Sequence, residues 1–81
     1  MRVTVQMFAR LRELAGRAEF TCDVDPGATI ADVWQRAVVE HPSLAPFASS
    51  VSCARNEDFA RMSTPVREGD EVAFLPPVSG G

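Results

Sequence analysis

The chain has 81 residues, which is one domain with no room for a second. Its hydrophobic fraction of 46% and charged fraction of 23% are those of an ordinary globule, and no apolar run approaches a membrane span. The net charge is −3, and the eight basic residues, all arginine, are scattered along the chain. That is a poor footprint for nucleic acid, and it suits a partner with a basic docking surface.

Residues 2–8 alternate, with Val3, Val5 and Met7 on one face and Arg2, Thr4, Gln6 and Phe8 on the other. A period of two predicts a strand. Ala9 to Gly16 is a connection with a short helical turn, Leu11 and Leu14 marking its apolar side and Gly16 its stop. Residues 18–24 alternate again, with Phe20, Cys22 and Val24 opposed to Glu19, Thr21 and Asp23. Two strands joined by a short link predict an antiparallel pair.

Asp25-Pro26-Gly27 is a turn by its chemistry. A helix over about 29–41 follows. Thr29 is its cap, with Asp32 three residues on in a capping-box arrangement. Ile30, Val33, Trp34, Ala37 and Val38 form the stripe of a helix lying on a sheet. That stripe places Trp34 in the core rather than in a binding site. Pro42 ends the helix, because the residue before proline is pushed out of the helical region.

Residues 42–50 read as irregular. Val51, Cys53 and Arg55 mark a third strand, Asn56-Glu57-Asp58 a turn, and Glu68-Gly69-Asp70 another. Val72 to Leu75 is a last short strand, Val72 and Phe74 against Ala73 and Leu75. Pro76-Pro77 ends it, since proline cannot donate to a ladder. The pattern predicts an α+β domain over 1–75, a mixed sheet of four to five strands with one main helix on one face. Under the right-handed crossover rule this is the β-grasp, or ubiquitin-like, arrangement. Residues 76–81 form an extended tail.

The reactive group is expected in that tail. Gly80-Gly81 puts a main-chain carboxylate on a thread with no side chains, able to enter a tunnel that a branched residue would block. From Pro76 the tail can extend about 20 Å at ~3.3–3.6 Å per residue. The proline pair lowers the ordering cost of insertion. Cys22 and Cys53 lie far apart with no C-x-x-C and read as small buried hydrophobes. With His41 as the one histidine, no zinc set is expected. The absence of lysine leaves no side-chain amine for isopeptide chains on the protein itself. Met1-Arg2-Val3 enters a strand pattern without a signal-peptide layout, so a cytoplasmic protein is expected.

Two segments carry a family resemblance over the whole chain. They are Phe8-Ala9-Arg10-Leu11-Arg12-Glu13-Leu14-Ala15-Gly16 and Gly69-Asp70-Glu71-Val72-Ala73-Phe74-Leu75-Pro76-Pro77-Val78-Ser79-Gly80-Gly81, with Asn56 in the turn after the third strand. The chain resembles the small, sulfur-carrier subunits of molybdopterin synthase.

The resemblance implies that a ubiquitin-activating-like adenylyltransferase uses ATP to adenylate Gly81. A sulfur donor then leaves a thiocarboxylate there. The large catalytic subunit, in a heterotetramer of two small and two large subunits, receives the tail and passes sulfur to cyclic pyranopterin monophosphate. The domain itself binds no cofactor and catalyses nothing alone. The resemblance places partner contacts at Phe8, Phe59 and Leu75, where many members carry an aromatic in place of Leu75. Pro76, Pro77, Val78, Ser79 and Gly80 thread the tunnel, and Arg10 and Arg12 can pair with acidic partner groups. Other readings are a modifier joined to target lysines, a carrier for thiamine or cysteine synthesis, and an unreactive β-grasp module.

Overall fold

In the computed structural model, which describes residues 1–77, the sequence alternation becomes a five-stranded mixed sheet. The strands are β1 (Arg2–Met7), β2 (Glu19–Asp23), β3 (Ser52–Arg55), β4 (Asp58–Ala60) and β5 (Glu71–Leu75), in the order β2-β1-β5-β3-β4. Helix α1 (Ala9–Ala15) links β1 to β2, and α2 (Ile30–Glu40) crosses from β2 towards β3. The two halves of the sheet meet where β1 and β5 run parallel, with Val5 beside Val72 and Met7 beside Phe74. The other pairings are antiparallel.

One face of the sheet is covered and one is open. Val3, Val5, Met7, Phe20, Val72 and Phe74 point into the core with Ile30, Val33, Trp34 and Ala37 of α2, all at most 8% exposed. The apolar stripe of α2 thus lies against the sheet, as its spacing predicts. The indole of Trp34 meets the Phe74 ring edge-on at a centroid distance of 5.0 Å, a favoured aromatic geometry. Val39, off the stripe, is 76% exposed.

Chain breaks follow local chemistry. Gly16 closes α1 at φ 76, a left-handed conformation that glycine adopts without steric cost, and its N–H bonds the Arg12 carbonyl. The capping box of α2 forms, the Asp32 carboxylate accepting the Thr29 N–H at 2.8 Å. His41, before Pro42, is the C-cap.

Two differences from the sequence reading have physical causes. Residues 42–47, read as irregular, form a 310 helix (Pro42–Phe47) that seats Leu44 fully in the core. Pro42 suits its first turn, where an N–H would lack a partner in any case. Second, Asp58–Ala60 is a strand too short to show periodicity; its pairing with β3 is what makes it one. No helix among the described residues is long and apolar enough to cross a membrane.

Candidate functional site

The uncovered sheet face and the end of β5 adjoin. On that face the registers give a cross-strand row through four strands: Gln6 beside Ala73, Ala73 beside Ala54, and Ala54 beside Phe59. The small side chains of Ala73 and Ala54 make a floor. Phe59 stands at the far edge and is 84% exposed. One step beyond the Met7–Phe74 pair lie Phe8, 43% exposed, and half-buried Leu75. Phe8, Leu75 and Phe59 line one shallow depression of about 260 Å³ with Gln6, Ala54, Glu57, Glu71 and Ala73. Three residues distant in sequence therefore share one apolar surface, and two carboxylates rim it.

Local backbone explains why these side chains face outward. Phe8 is out of phase with the core residues of β1 and sits extended at the N-cap of α1. Leu75 is out of phase with Val72 and Phe74. Phe59 is carried on a hairpin whose two turn residues, Asn56 (φ 50) and Glu57 (φ 73), both lie in the left-handed region. That is the requirement of a type I′ hairpin turn, and asparagine is among the residues that tolerate it.

β5 delivers the chain from this surface directly into the tail. Leu75, its last residue, is followed by half-buried Pro76 and exposed Pro77. The residues assigned to the reactive end, Val78, Ser79, Gly80 and Gly81, lie outside the described residues.

Arg10 and Arg12 are exposed on α1 beside Phe8, and Arg10 forms an ion pair with Glu13 at 3.2 Å. Such exposed pairs contribute little to stability, so these groups are available to a partner.

The cysteines are free thiols. Burial pushes both above their ordinary value; for Cys22 the nearby Arg36 opposes this without overcoming it. A thiol with a raised pKa is a weak nucleophile at neutral pH. Among the described residues no group of three or more His, Cys, Asp or Glu side chains is placed to hold a metal ion.

The sequence reading named the three apolar contacts and missed what supports them. The floor residues Ala54 and Ala73 and the rim residues Gln6, Glu57 and Glu71 become visible through strand register, and the pairing of Ala54 with Phe59 needs β4.

The model of the ThiS family matches residues 5–81, nearly the whole chain and the last two glycines with it. The chain belongs to the ThiS family. A molybdopterin synthase sulfur carrier subunit of Arabidopsis thaliana is 38% identical over 79 residues, spanning 98% of this chain and 82% of the relative. Small archaeal modifier protein 1 of Haloferax volcanii is 34% identical, spanning 94% of this chain and 97% of the relative. The crystal structure of SAMP1 from Haloferax volcanii superposes with a TM-score of 0.89 at 32% identity, over the full length of both chains. The β-grasp arrangement read from the sequence is thus the fold of this ThiS-family chain.

Proposed function

We propose that this chain is the sulfur-carrier small subunit of molybdopterin synthase. The observation that carries the reading is the family match through residue 81, joined to full-length similarity with a molybdopterin synthase sulfur carrier subunit. In this reading the chemistry is that of the Gly81 carboxylate. A free carboxylate is a poor electrophile. Coupling to AMP, with release of pyrophosphate, provides a leaving group. Hydrosulfide attacks the acyl carbon and AMP departs, leaving a thiocarboxylate; if the donor is a persulfide, the acyl disulfide that forms is cleaved by a second thiol, which is oxidised to a disulfide as the thiocarboxylate is released. ATP belongs to the partner adenylyltransferase.

The large subunit then binds the apolar surface of Phe8, Leu75 and Phe59 and takes the tail into its active site, in an assembly of two small and two large subunits. Pro76 and Pro77 stiffen the approach, and Gly80 and Gly81 pass the constriction. The thiocarboxylate sulfur bonds to a side-chain carbon of cyclic pyranopterin monophosphate and displaces the oxygen held there, water then cleaves the sulfur's bond to the acyl carbon, and Gly81 returns as a carboxylate. A dithiolene has two sulfurs, so two charged carriers serve each product. Burial of the thiocarboxylate shields it from premature hydrolysis. The domain is the grip and the tail is the reagent; acid–base groups come from the large subunit.

A second reading is a protein modifier joined through Gly81 to target lysines, favoured by the 34% identity with small archaeal modifier protein 1. Reconstitution separates the two. Chain loaded with sulfur by an adenylyltransferase and a sulfur donor is mixed with large subunit and cyclic pyranopterin monophosphate. Molybdopterin in proportion to carrier consumed supports the first reading. No product, with Gly81–lysine branched peptides in cell digests, supports the second.

A further inference from the structure

The most exposed anchor of the docking surface rests on the least supported strand. Phe59 is carried by β4, three residues paired, among the described residues, on one side only, to β3. A two-stranded ribbon of that length is marginal by itself. What ties it down lies at the tip of the hairpin. The Asn56 amide donates to Asp70 Oδ1 at 3.0 Å, and its carbonyl oxygen accepts the Glu71 N–H at 2.9 Å. The Asn56 backbone N–H adds a bond to the Glu71 carbonyl at 2.8 Å.

Asp70 is itself fixed. Its second oxygen accepts the Arg67 N–H at 2.8 Å, and its carbonyl accepts the Thr4 N–H at 2.9 Å from β1. One side chain therefore joins the β3–β4 hairpin to the start of β5 and, through Asp70, to β1. These are the strands that carry Phe59, Leu75 and Phe8.

We infer that Asn56 is a positioning residue for partner docking: through its bonds to Asp70 and Glu71 it holds the β3–β4 hairpin so that Phe59 stands in register with Ala54 and Ala73 opposite Phe8. This rests on the docking role proposed above. The residue type is dictated by its task. The position has φ 50, which disfavours most side chains, and the site needs one donor for a carboxylate and one acceptor for an amide. Asparagine meets all three requirements. Aspartate lacks the donor and would face the Asp70 carboxylate. Glycine fits the backbone and makes neither bond. The hairpin's second turn residue, Glu57, is also held at positive φ, at 73, so the turn is maintained by the clamp and not by glycine chemistry.

The test uses the full chain and the purified large subunit of molybdopterin synthase, with dissociation constants measured by calorimetry and melting temperatures measured in parallel. Losing both side-chain bonds in Asn56→Ala should raise Kd roughly tenfold, the equivalent of about 1.4 kcal/mol. The effect should raise KM for loaded carrier and leave kcat unchanged, because the tail chemistry is untouched.

Two further variants separate positioning from plain stability. In a Phe59→Ala background, Asn56→Ala should cost much less than alone, because a residue acting through Phe59 has nothing left to position. The exchange Asn56→Asp with Asp70→Asn keeps a donor–acceptor pair between the two side chains, an acceptor for the Glu71 N–H and one for the Arg67 N–H. It should bind nearly as wild type, whereas Asn56→Asp alone should be at least as weak as Asn56→Ala.

Equal and additive losses in the two backgrounds, or no recovery in the exchanged pair, overturn the inference. If Phe59→Ala itself leaves Kd unchanged, the docking face has failed and the positioning role falls with it. If Phe59→Ala weakens binding and Asn56→Ala does not, the face stands and the role of Asn56 alone is refuted.

Discussion

The rings of Trp34 and Phe74 pack edge to face, and the neighbours of Phe74 in β5, Ala73 and Leu75, face the opposite way, onto the exposed apolar depression. The helix therefore braces the strand that presents the tail. Core and outer apolar face are two sides of one strand.

That relation predicts a graded response at Trp34. The side chain is 2% exposed, so Trp34→Ala should lose about 3–5 kcal/mol, as for other large-to-small changes of buried aromatics. Trp34→Phe should cost clearly less. It keeps a ring for Phe74 and removes a buried indole N–H that has no partner among the described residues. Urea unfolding of the three proteins checks the order; equal losses for both variants would contradict the packing account.

At Phe59 the expectation reverses. Because Phe59 is 84% exposed, Phe59→Arg should leave the melting temperature within a few degrees of wild type, since surface substitutions usually change stability by no more than about 0.5 kcal/mol. The same change should weaken large-subunit binding by about tenfold or more, because it replaces an apolar contact with a charge that must be desolvated at the interface. Calorimetric titration and thermal melts on one preparation decide it. An unchanged Kd would remove Phe59 from the interface.

Asp70 predicts a pH dependence with a definite sign. Desolvation works to raise its pKa. Hydrogen bonds from Asn56 and the Arg67 N–H, with the charges of Arg55 and Arg67, outweigh it and hold the carboxyl below its usual range. A depressed folded pKa contributes stability above the unfolded value of about 3.9, which is lost as pH falls through the folded value. The stability gap between wild type and Asp70→Asn should therefore be widest at neutral pH and narrow below about pH 4. Melting curves from pH 7 to pH 2.5 measure it, and a gap independent of pH would mean that the carboxylate charge plays no part.

Helix α2 was legible because its stripe, cap and terminating proline all act within the chain segment. β1, β2 and β5 were legible because they alternate. Leu44 and Phe59 show where sequence reading stops. Leu44 and Phe47 stand without periodic partners in a segment of prolines, serines and alanines, and the burial of Leu44 comes from a 310 turn docking onto α1 and α2. Phe59 has no periodic neighbours. Its outward position was anticipated from family resemblance, while its pairing with Ala54 is set by a hairpin turn closed through Asp70 and Glu71, far along the chain. Interactions made at long range leave little trace in local pattern.

Gly81 lies beyond the buried core cluster of the described residues, which runs in sequence from Val3 to Phe74. Removing Gly81 should leave the melting temperature unchanged and abolish sulfur loading.

The most direct test is the intact mass of the full chain after incubation with the adenylyltransferase, ATP and a sulfur donor. The account predicts a species in which one oxygen is replaced by sulfur, localised to Gly81 by fragmentation and missing from the truncated chain. An unchanged mass under conditions that load a known carrier, or sulfur localised to Cys22 or Cys53, would contradict it.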